Sequence, residues 1–224
     1  HTRRVLKAGP FSLRGRRGDG LFSSRPGEIL TVTAADCLTV FLFHSASPLL
    51  ALVHSGWRGT GIALEAAEAL IRRGAREEDL TAFLGPCIGP CCYTGDSFRA
   101  GEWASLVLAA LGAALRAAGK GPPEGSEPSL PPDPASVPGL IPRGGGRYAL
   151  DLCAANKAIL EARGLTRIAQ AGVCTACGRF FAPPPEELVR AEGFSMAEPA
   201  VLGSYRREGP AAYTRMTAFF GWLS

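Results

Sequence analysis

Residues 29–61 read ILTVTAADCLTVFLFHSASPLLALVHSGWRGTG, and the rest of the chain can be interpreted outward from them. The first part, residues 29–43, is rich in Val, Thr, Leu and Phe and is interrupted only at residues 34–37. A second apolar run covers residues 49–53. Apolar runs of this length and composition are typical of buried strands. The stretch therefore predicts neighbouring strands of one hairpin.

A glycine-rich turn, Ser55-Gly56-Trp57-Arg58-Gly59-Thr60-Gly61, follows the second run. Residues 62–73 come next, and their apolar residues recur with the spacing of an amphipathic helix. A strand, a tight turn and a helix start leave backbone N–H groups available to an anion. The turn is thus a candidate anion site.

Cys37 and His54 are the polar residues that the two apolar runs present. Thiolate and imidazole are ligands that zinc favours, and a site with an open position can activate water. The alternative for Cys37 is that of a small buried hydrophobic residue. The chain has only three histidines, His1, His44 and His54, so a third ligand has few candidates.

Strand-like and helix-like patterns alternate through the rest of the chain, which favours an α/β fold. We expect one layered mixed β-sheet flanked by helices, in a single domain over residues 1–224. Asp151 is expected to cap the start of a helix that Gly164 ends. The predicted elements are strands at 79–84, 147–152 and 168–173 and helices at 97–118 and 153–163.

Residues 119–146 are dominated by Pro and Gly, which predicts a surface loop rather than a domain boundary. The chain has seven cysteines, an odd number that argues for a reducing, cytoplasmic location. Cys91 and Cys92 are expected to be structural, because adjacent cysteines do not easily face one ion. The pair Cys174 and Cys177 fits neither a zinc ribbon nor a thioredoxin-like redox centre well, since a second pair at ribbon spacing is missing.

The net charge is +4, and arginines are concentrated near the start of the chain, at positions 3, 4, 14, 16 and 17. Aromatic residues are not interleaved with them, so nucleic acid is not expected as a partner. Attraction for phosphate or another anion is the preferred interpretation. Since the chain contains no run of 18 apolar residues, no membrane span is expected.

Several motifs resemble those of the YfiH/LACC1 family, long labelled multicopper polyphenol oxidase or laccase-domain proteins. They are TAADCLTVFLF…ALVHSGWRGTG, LGPCIGPCCY, YALDLCAANKAIL, VCTAC and SYRREG…YTRMTAFF, and they cover nearly the whole chain in the family's order. The resemblance implies phosphorolysis of adenosine, inosine, guanosine and methylthioadenosine, together with deamination of adenosine. The expected partners are therefore purine nucleosides and inorganic phosphate.

The resemblance also implies one zinc ion, held in this chain by His1, Cys37 and His54. The family normally has a segment before its first histidine, so the chain is expected to lack its N-terminal segment. Two departures stand out: an insertion at 178–203, and Tyr213-Thr214-Arg215 where the family commonly has Thr-Gly-Arg. The second departure puts the exact place of Arg215 in doubt.

Candidate catalytic roles follow from this chemistry. Zinc lowers the pKa of a bound water towards neutrality, which suits attack on the purine C6 of adenosine. Phosphorolysis needs an anion site beside the ribose C1′, for which Arg side chains are suitable bidentate donors. The candidates are Arg58, Arg206 or Arg207, and Arg215. Asp36 is expected to orient His54 or act as acid or base, with a turn cap as its alternative role.

Trp57 leaves two roles open, and three functions compete, the first of which is the zinc-dependent nucleoside enzyme. Trp57 could stack on a purine or pack in the core. A copper-dependent polyphenol oxidase is disfavoured, because a multicopper centre needs many histidines, usually in H-x-H pairs. The third reading is a non-catalytic binding protein.

Overall fold

The computed structural model describes residues 2–9, 16–121, 133–182, 202–211 and 215–222. The described strands are β1 Val5–Lys7, β2 Gly20–Ser23, β3 Ile29–Ala34, β4 Leu38–His44, β5 Leu50–Ser55, β6 Leu80–Leu84, β7 Thr94–Asp96, β8 Leu140–Gly144, β9 Arg147–Leu150, β10 Arg167–Gln170 and β11 Met216–Gly221. The described helices are α1 Ile62–Ile71, α2 Ser97–Ala117, α3 Leu152–Arg163 and the short α4 Tyr205–Glu208.

The main sheet has six strands in the order β1-β2-β5-β4-β6-β10. Its two outer pairs, β1 with β2 and β6 with β10, are parallel, and the inner pairs are antiparallel. A two-stranded antiparallel ribbon joins β3 to β11, and β7, β9 and β8 form a small antiparallel sheet. The expected layered, mixed α/β fold is thereby confirmed.

Apolar side chains of the central strands pack on both faces of the sheet, because successive side chains of a strand point to opposite faces. In β4, Val40 and Leu42 belong to the large core cluster beneath the helices. Phe41 and Phe43 pack on the other face, against Phe220 of β11. The sheet is therefore covered by helices on one face and by the β3–β11 ribbon on the other.

The boundaries of α1, α2 and α3 agree with the predictions to within two residues, whereas α4 was not predicted. Asp151 accepts a hydrogen bond from the backbone N–H of Ala154 at 2.9 Å, which confirms the predicted cap of α3. Gly164 ends that helix with φ +108°, a left-handed conformation that favours glycine. The hairpin of β4 and β5 is also confirmed.

By length and composition α2 could cross a membrane, but helices in the core of soluble proteins pass the same test. Trp103 and Val107 of α2 are fully buried, and the Trp103 indole N–H donates to Thr60 Oγ1 at 2.9 Å. The expectation that the chain has no membrane span therefore stays a prediction.

The predicted loop 119–146 is partly regular. Residues 134–136 form a 3-10 turn and residues 140–144 form β8, which pairs with β9 and was missed because Pro and Gly dominate the local composition. Residues 122–132 lie outside the described residues. Of the predicted insertion 178–203, residues 183–201 also lie outside them.

Candidate functional site

Cys37 and His54 lie on neighbouring strands at one end of the hairpin. Cys37 directly precedes β4, whose first residues, Leu38 and Thr39, are paired with Ser55 and His54 of β5. Both side chains line the same cavity of about 580 Å³. This volume lies within the range of about 300–1,000 Å³ typical of small-molecule sites. The two predicted ligands are thus brought together at one cavity.

His1 falls outside the described residues, so its role as the third ligand stays a prediction. His44 cannot substitute for it, because it lies at the far end of β4 from Cys37. At about 3.3 Å per residue, that strand separates them by roughly 20 Å. His44 instead lies beside Asp79, with Nε2 3.9 Å from Oδ2.

Asp19 is the carboxylate beside His54. Its Oδ1 lies 3.7 Å from Nδ1 of His54, and its backbone carbonyl accepts the His54 backbone N–H at 2.7 Å. Its Oδ2 accepts a hydrogen bond from the backbone N–H of Thr2. Asp19 directly precedes β2, the neighbour of β5, which explains this proximity.

Burial shapes the protonation of both candidate ligands. It lowers the pKa of His54 despite the opposing effect of Asp19, so the imidazole is neutral at physiological pH. Burial, together with the charges of Asp36 and Asp19, raises the pKa of Cys37 to about 11. Neutral imidazole and a thiol that ionises when a cation arrives are a donor set suited to zinc. The residues present therefore fit a metal.

Asp36 is buried and uses both carboxylate oxygens in hydrogen bonds. Oδ1 accepts from the Thr175 hydroxyl at 2.7 Å, and Oδ2 accepts from the backbone N–H of Arg206 at 2.6 Å. Its φ of +75° is in the left-handed region, which Asp tolerates better than most residues. Asp19, rather than Asp36, lies beside Nδ1 of His54. The predicted roles of Asp36, orienting His54 or acting as acid or base, stay predictions.

The predicted arginines divide into two groups. Arg215 lines the cavity, as does Arg16 from the basic N-terminal cluster. Arg58 and Arg206 are absent from the described cavity wall; their guanidinium carbons lie 4.9 Å from the Trp57 ring centre and 5.9 Å from that of Tyr93. Arg207 donates to the carbonyl of Thr175 and so holds the backbone.

Sequence reasoning missed part of the cavity wall. Arg16 was predicted only as part of the basic cluster, and Asp19, Thr31, Thr33 and Tyr205 were not predicted as site residues. The signal that could have identified Asp19 is its place directly before Gly20, in an Asp-Gly pair. Trp57 also does not line the described cavity; Arg58 and Arg99 lie over its ring.

Cys91 and Cys92 face a common point although they are adjacent, contrary to the prediction. The sulfur atoms of Cys91, Cys92, Cys174 and Cys177 all lie within 4.8 Å of one another. None of the four lines the described cavity, so they form a separate cluster.

Curated relatives support the relationship suggested by the motifs. The chain is similar to purine nucleoside phosphorylase YlmD of Geobacillus stearothermophilus, with 31% identity over 164 residues, 71% of this chain and 51% of that protein. It is also similar to a purine nucleoside phosphorylase of Deinococcus radiodurans, with 30% identity over 200 residues, 88% of this chain and 66% of that protein. The chain thus spans one half to two thirds of the length of these relatives.

Solved structures agree. The crystal structure of YlmD from Geobacillus stearothermophilus matches with a TM-score of 0.70 and 26% identity, over 99% of this chain and 70% of that one. That of Bacillus licheniformis hypothetical protein YfiH matches with a TM-score of 0.68 and 26% identity, over 99% of this chain and 71% of that one. The sequence family described as multi-copper polyphenol oxidoreductase laccase matches residues 1–182. The chain therefore belongs to this laccase-domain family and is similar to the YfiH and YlmD proteins.

Proposed function

We propose that this chain is a zinc-dependent purine nucleoside enzyme. Its reactions would be phosphorolysis of adenosine, inosine, guanosine and methylthioadenosine, and deamination of adenosine. The observation that carries the proposal is that Cys37, His54 and two arginines, Arg16 and Arg215, line one cavity. The names of the relatives, purine nucleoside phosphorylases, support it.

His1, Cys37 and His54 would hold the zinc ion. When bound, zinc lowers the pKa of a coordinated water and polarises oxygen atoms of a substrate. The chain contributes the orientation of the ligands. A carboxylate beside Nδ1 fixes the tautomer and direction of a metal-binding imidazole, and Asp19 is placed for that role.

Phosphorolysis forms a bond between a phosphate oxygen and the ribose C1′ as the bond from C1′ to the purine nitrogen breaks. The electron pair leaves with the purine, which then takes up a proton. A binding site must therefore hold a multiply charged anion beside C1′. Arg16 and Arg215 line the cavity and offer planar, permanently charged donors that match phosphate geometry.

The remaining cavity wall suits a nucleoside. Leu6, Leu21 and Val32 supply apolar surface, and Thr31 and Thr33 bring polar groups that can bond to hydroxyls of a sugar. Arg58 and Arg206 remain proposed phosphate donors of lower rank, because neither lines the described cavity.

The direct test is a product assay combined with metal analysis. Inosine and phosphate should yield hypoxanthine and ribose 1-phosphate, and adenosine without phosphate should yield inosine and ammonia. Cys37→Ser and His54→Ala should abolish both activities and lower the zinc content. His44→Ala is the matched control, because His44 lies beside an aspartate at the other end of the same hairpin.

The same assay separates the alternatives. Copper in the purified protein, with oxygen consumption on phenols, would support a polyphenol oxidase and contradict the proposal. A folded protein that binds nucleosides without releasing any product would support the non-catalytic reading. Retention of phosphorolysis by Cys37→Ser would also reject the proposed ligand set.

A further inference from the structure

Four cysteines converge on one point outside the candidate active site. Cys91 and Cys92 lie in the turn that follows β6, and Cys174 and Cys177 lie in the loop that follows β10. Because β6 and β10 are parallel neighbours, their following loops leave the sheet at the same edge. The topology therefore brings the two pairs together.

The sulfur positions match a tetrahedral metal site. All four sulfur atoms lie within 4.8 Å of one another, and those of Cys91 and Cys177 are 3.6 Å apart. Zinc–sulfur bonds of about 2.3 Å in a tetrahedron require sulfur atoms about 3.8 Å apart. Small rotations of the side chains would close the remaining difference.

Backbone N–H groups already point at the sulfur atoms. The N–H of Gly89 donates to Cys174 Sγ at 3.2 Å, and that of Arg179 donates to Cys177. Gly178 follows the C-x-x-C pair with φ +71°, so the chain can turn tightly there. Donors of this kind stabilise negative sulfur and, in metal sites, orient the ligands.

The turn at residues 89–93 also explains how the adjacent Cys91 and Cys92 share a site. The N–H groups of Cys92 and Tyr93 both donate to the carbonyl of Gly89, at 3.0 and 2.9 Å. This tight turn places residues 91 and 92 over the loop that carries Cys174. In an extended backbone, by contrast, adjacent side chains point to opposite sides.

We propose that Cys91, Cys92, Cys174 and Cys177 bind one zinc ion in a closed, structural site, distinct from the site at Cys37 and His54. Four thiolate ligands leave no open position, which is typical of structural rather than catalytic zinc. Binding replaces four thiol protons with one dication, and the protons pass to solvent. No change of oxidation state is involved.

The ion would hold in place a loop that contacts the candidate active site. Thr175 lies inside the C-x-x-C pair, and its hydroxyl donates to Asp36, the neighbour of Cys37. The N–H of Thr175 donates to the carbonyl of Cys87, and its own carbonyl accepts from Arg207. Fixing Cys174 and Cys177 thus fixes the loop that positions Asp36.

The test measures zinc per chain in protein purified under reducing conditions. Cys37→Ser isolates the cluster, because it removes the ligand of the other site, and this variant should retain one zinc ion. The triple variant Cys37→Ser/Cys91→Ser/Cys177→Ser should retain none. Cobalt added to metal-free Cys37→Ser should give strong sulfur-to-cobalt charge-transfer absorption, which the triple variant should lack.

A milder variant separates loss of zinc from loss of the fold. Cys91 is exposed, so Cys91→Ser in the Cys37→Ser background is the milder variant, with its fold checked by circular dichroism. Its zinc content should fall although its helix content is unchanged. The readout needs no nucleoside, so failure of the proposed reaction would leave this result standing.

Three outcomes would overturn the proposal. The first is a folded, reduced Cys37→Ser protein that contains no zinc and binds no cobalt. The second is a disulfide between Cys91 and Cys177 in protein isolated from the cell under alkylating conditions. The third is a folded Cys37→Ser/Cys91→Ser variant whose zinc content and cobalt spectrum match those of Cys37→Ser.

Discussion

Asp19 Oδ1 lies 3.7 Å from His54 Nδ1 at the edge of the cavity, and Asp79 Oδ2 lies 3.9 Å from His44 Nε2 at the other end of the same hairpin. The two pairs are chemically alike, but Cys37 and the cavity adjoin only the first. This arrangement offers an internal control for the role of Asp19.

We expect Asp19→Asn to lower nucleoside phosphorolysis or zinc affinity about 10- to 100-fold, the usual effect of removing a carboxylate behind a metal-binding histidine. Initial rates and zinc competition titrations measure the two effects. Asp79→Asn should change neither. Equal losses in both variants would show that the carboxylates act on stability alone.

Thr175 should affect the site through Asp36. In Thr175→Val the Asp36 oxygen loses its 2.7 Å donor while remaining buried, which should destabilise the fold by about 1–3 kcal/mol. Thr175→Ser keeps the hydroxyl and should restore most of the loss. Urea unfolding measures the stability of both variants, and a neutral Thr175→Val would contradict the role assigned to this bond.

Arg163 should contribute to stability by joining three elements. It is buried at the end of α3 and pairs with Glu68 of α1 and with Glu77, which lies in the turn between α1 and β6. Both carboxylates can still reach water, so Arg163→Met should cost about 1–3 kcal/mol, less than breaking a fully buried pair. Lys157→Met, which removes an exposed pair with Glu161, should cost less than about 0.5 kcal/mol. Urea unfolding of both variants provides the comparison.

Asp151 should give a pH-dependent signature. Burial raises its pKa above the ordinary 3.8, although the N–H groups of Ala154 and Cys153 act in the opposite direction. A raised pKa in the folded state means that its stabilising contribution is complete below 3.8 and is lost as the pH rises through the folded value. The unfolding free energy of the wild type minus that of Asp151→Asn should therefore decrease from acid to neutral pH. A difference that increases with pH would contradict this sign.

Gly139 and Gly101 should respond oppositely to alanine. At Gly139, φ is +80° and a Cβ would lie 2.4 Å from the Asp151 carbonyl, so Gly139→Ala should cost at least about 2 kcal/mol. Gly101 lies within α2 with open space around it, and Gly101→Ala should gain about 0.5–1 kcal/mol. Thermal melting of the two variants checks both directions.

The elements predicted most closely from sequence are those with long, regular patterns. The β4–β5 hairpin, α2 and α3 have enough residues for their periodicity to be read, and the caps at Asp151 and Gly164 have clear local causes. Strands β1, β2 and β7 have only three or four residues, too few for a period. β8 was hidden by its Pro- and Gly-rich surroundings.

The site was predicted where its residues are close along the chain. Cys37 and His54 meet because one hairpin joins their strands. Asp19 reaches His54 only through the pairing of β2 with β5, and the four cysteines meet only because β6 and β10 are neighbours. Such pairings of distant segments are not encoded in local periodicity, which explains why these residues were missed.

The ribbon of β3 and β11 has a consequence for synthesis of the protein. β3 begins at Ile29, but its partner, Met216–Gly221, lies far later in the sequence, directly after Arg215 of the cavity wall. A nascent chain therefore exposes an unpaired strand edge, and the aromatic face of β4 lacks Phe220, until β11 has been translated. The cavity wall is therefore complete only after β11 pairs with β3, since Arg215 directly precedes β11.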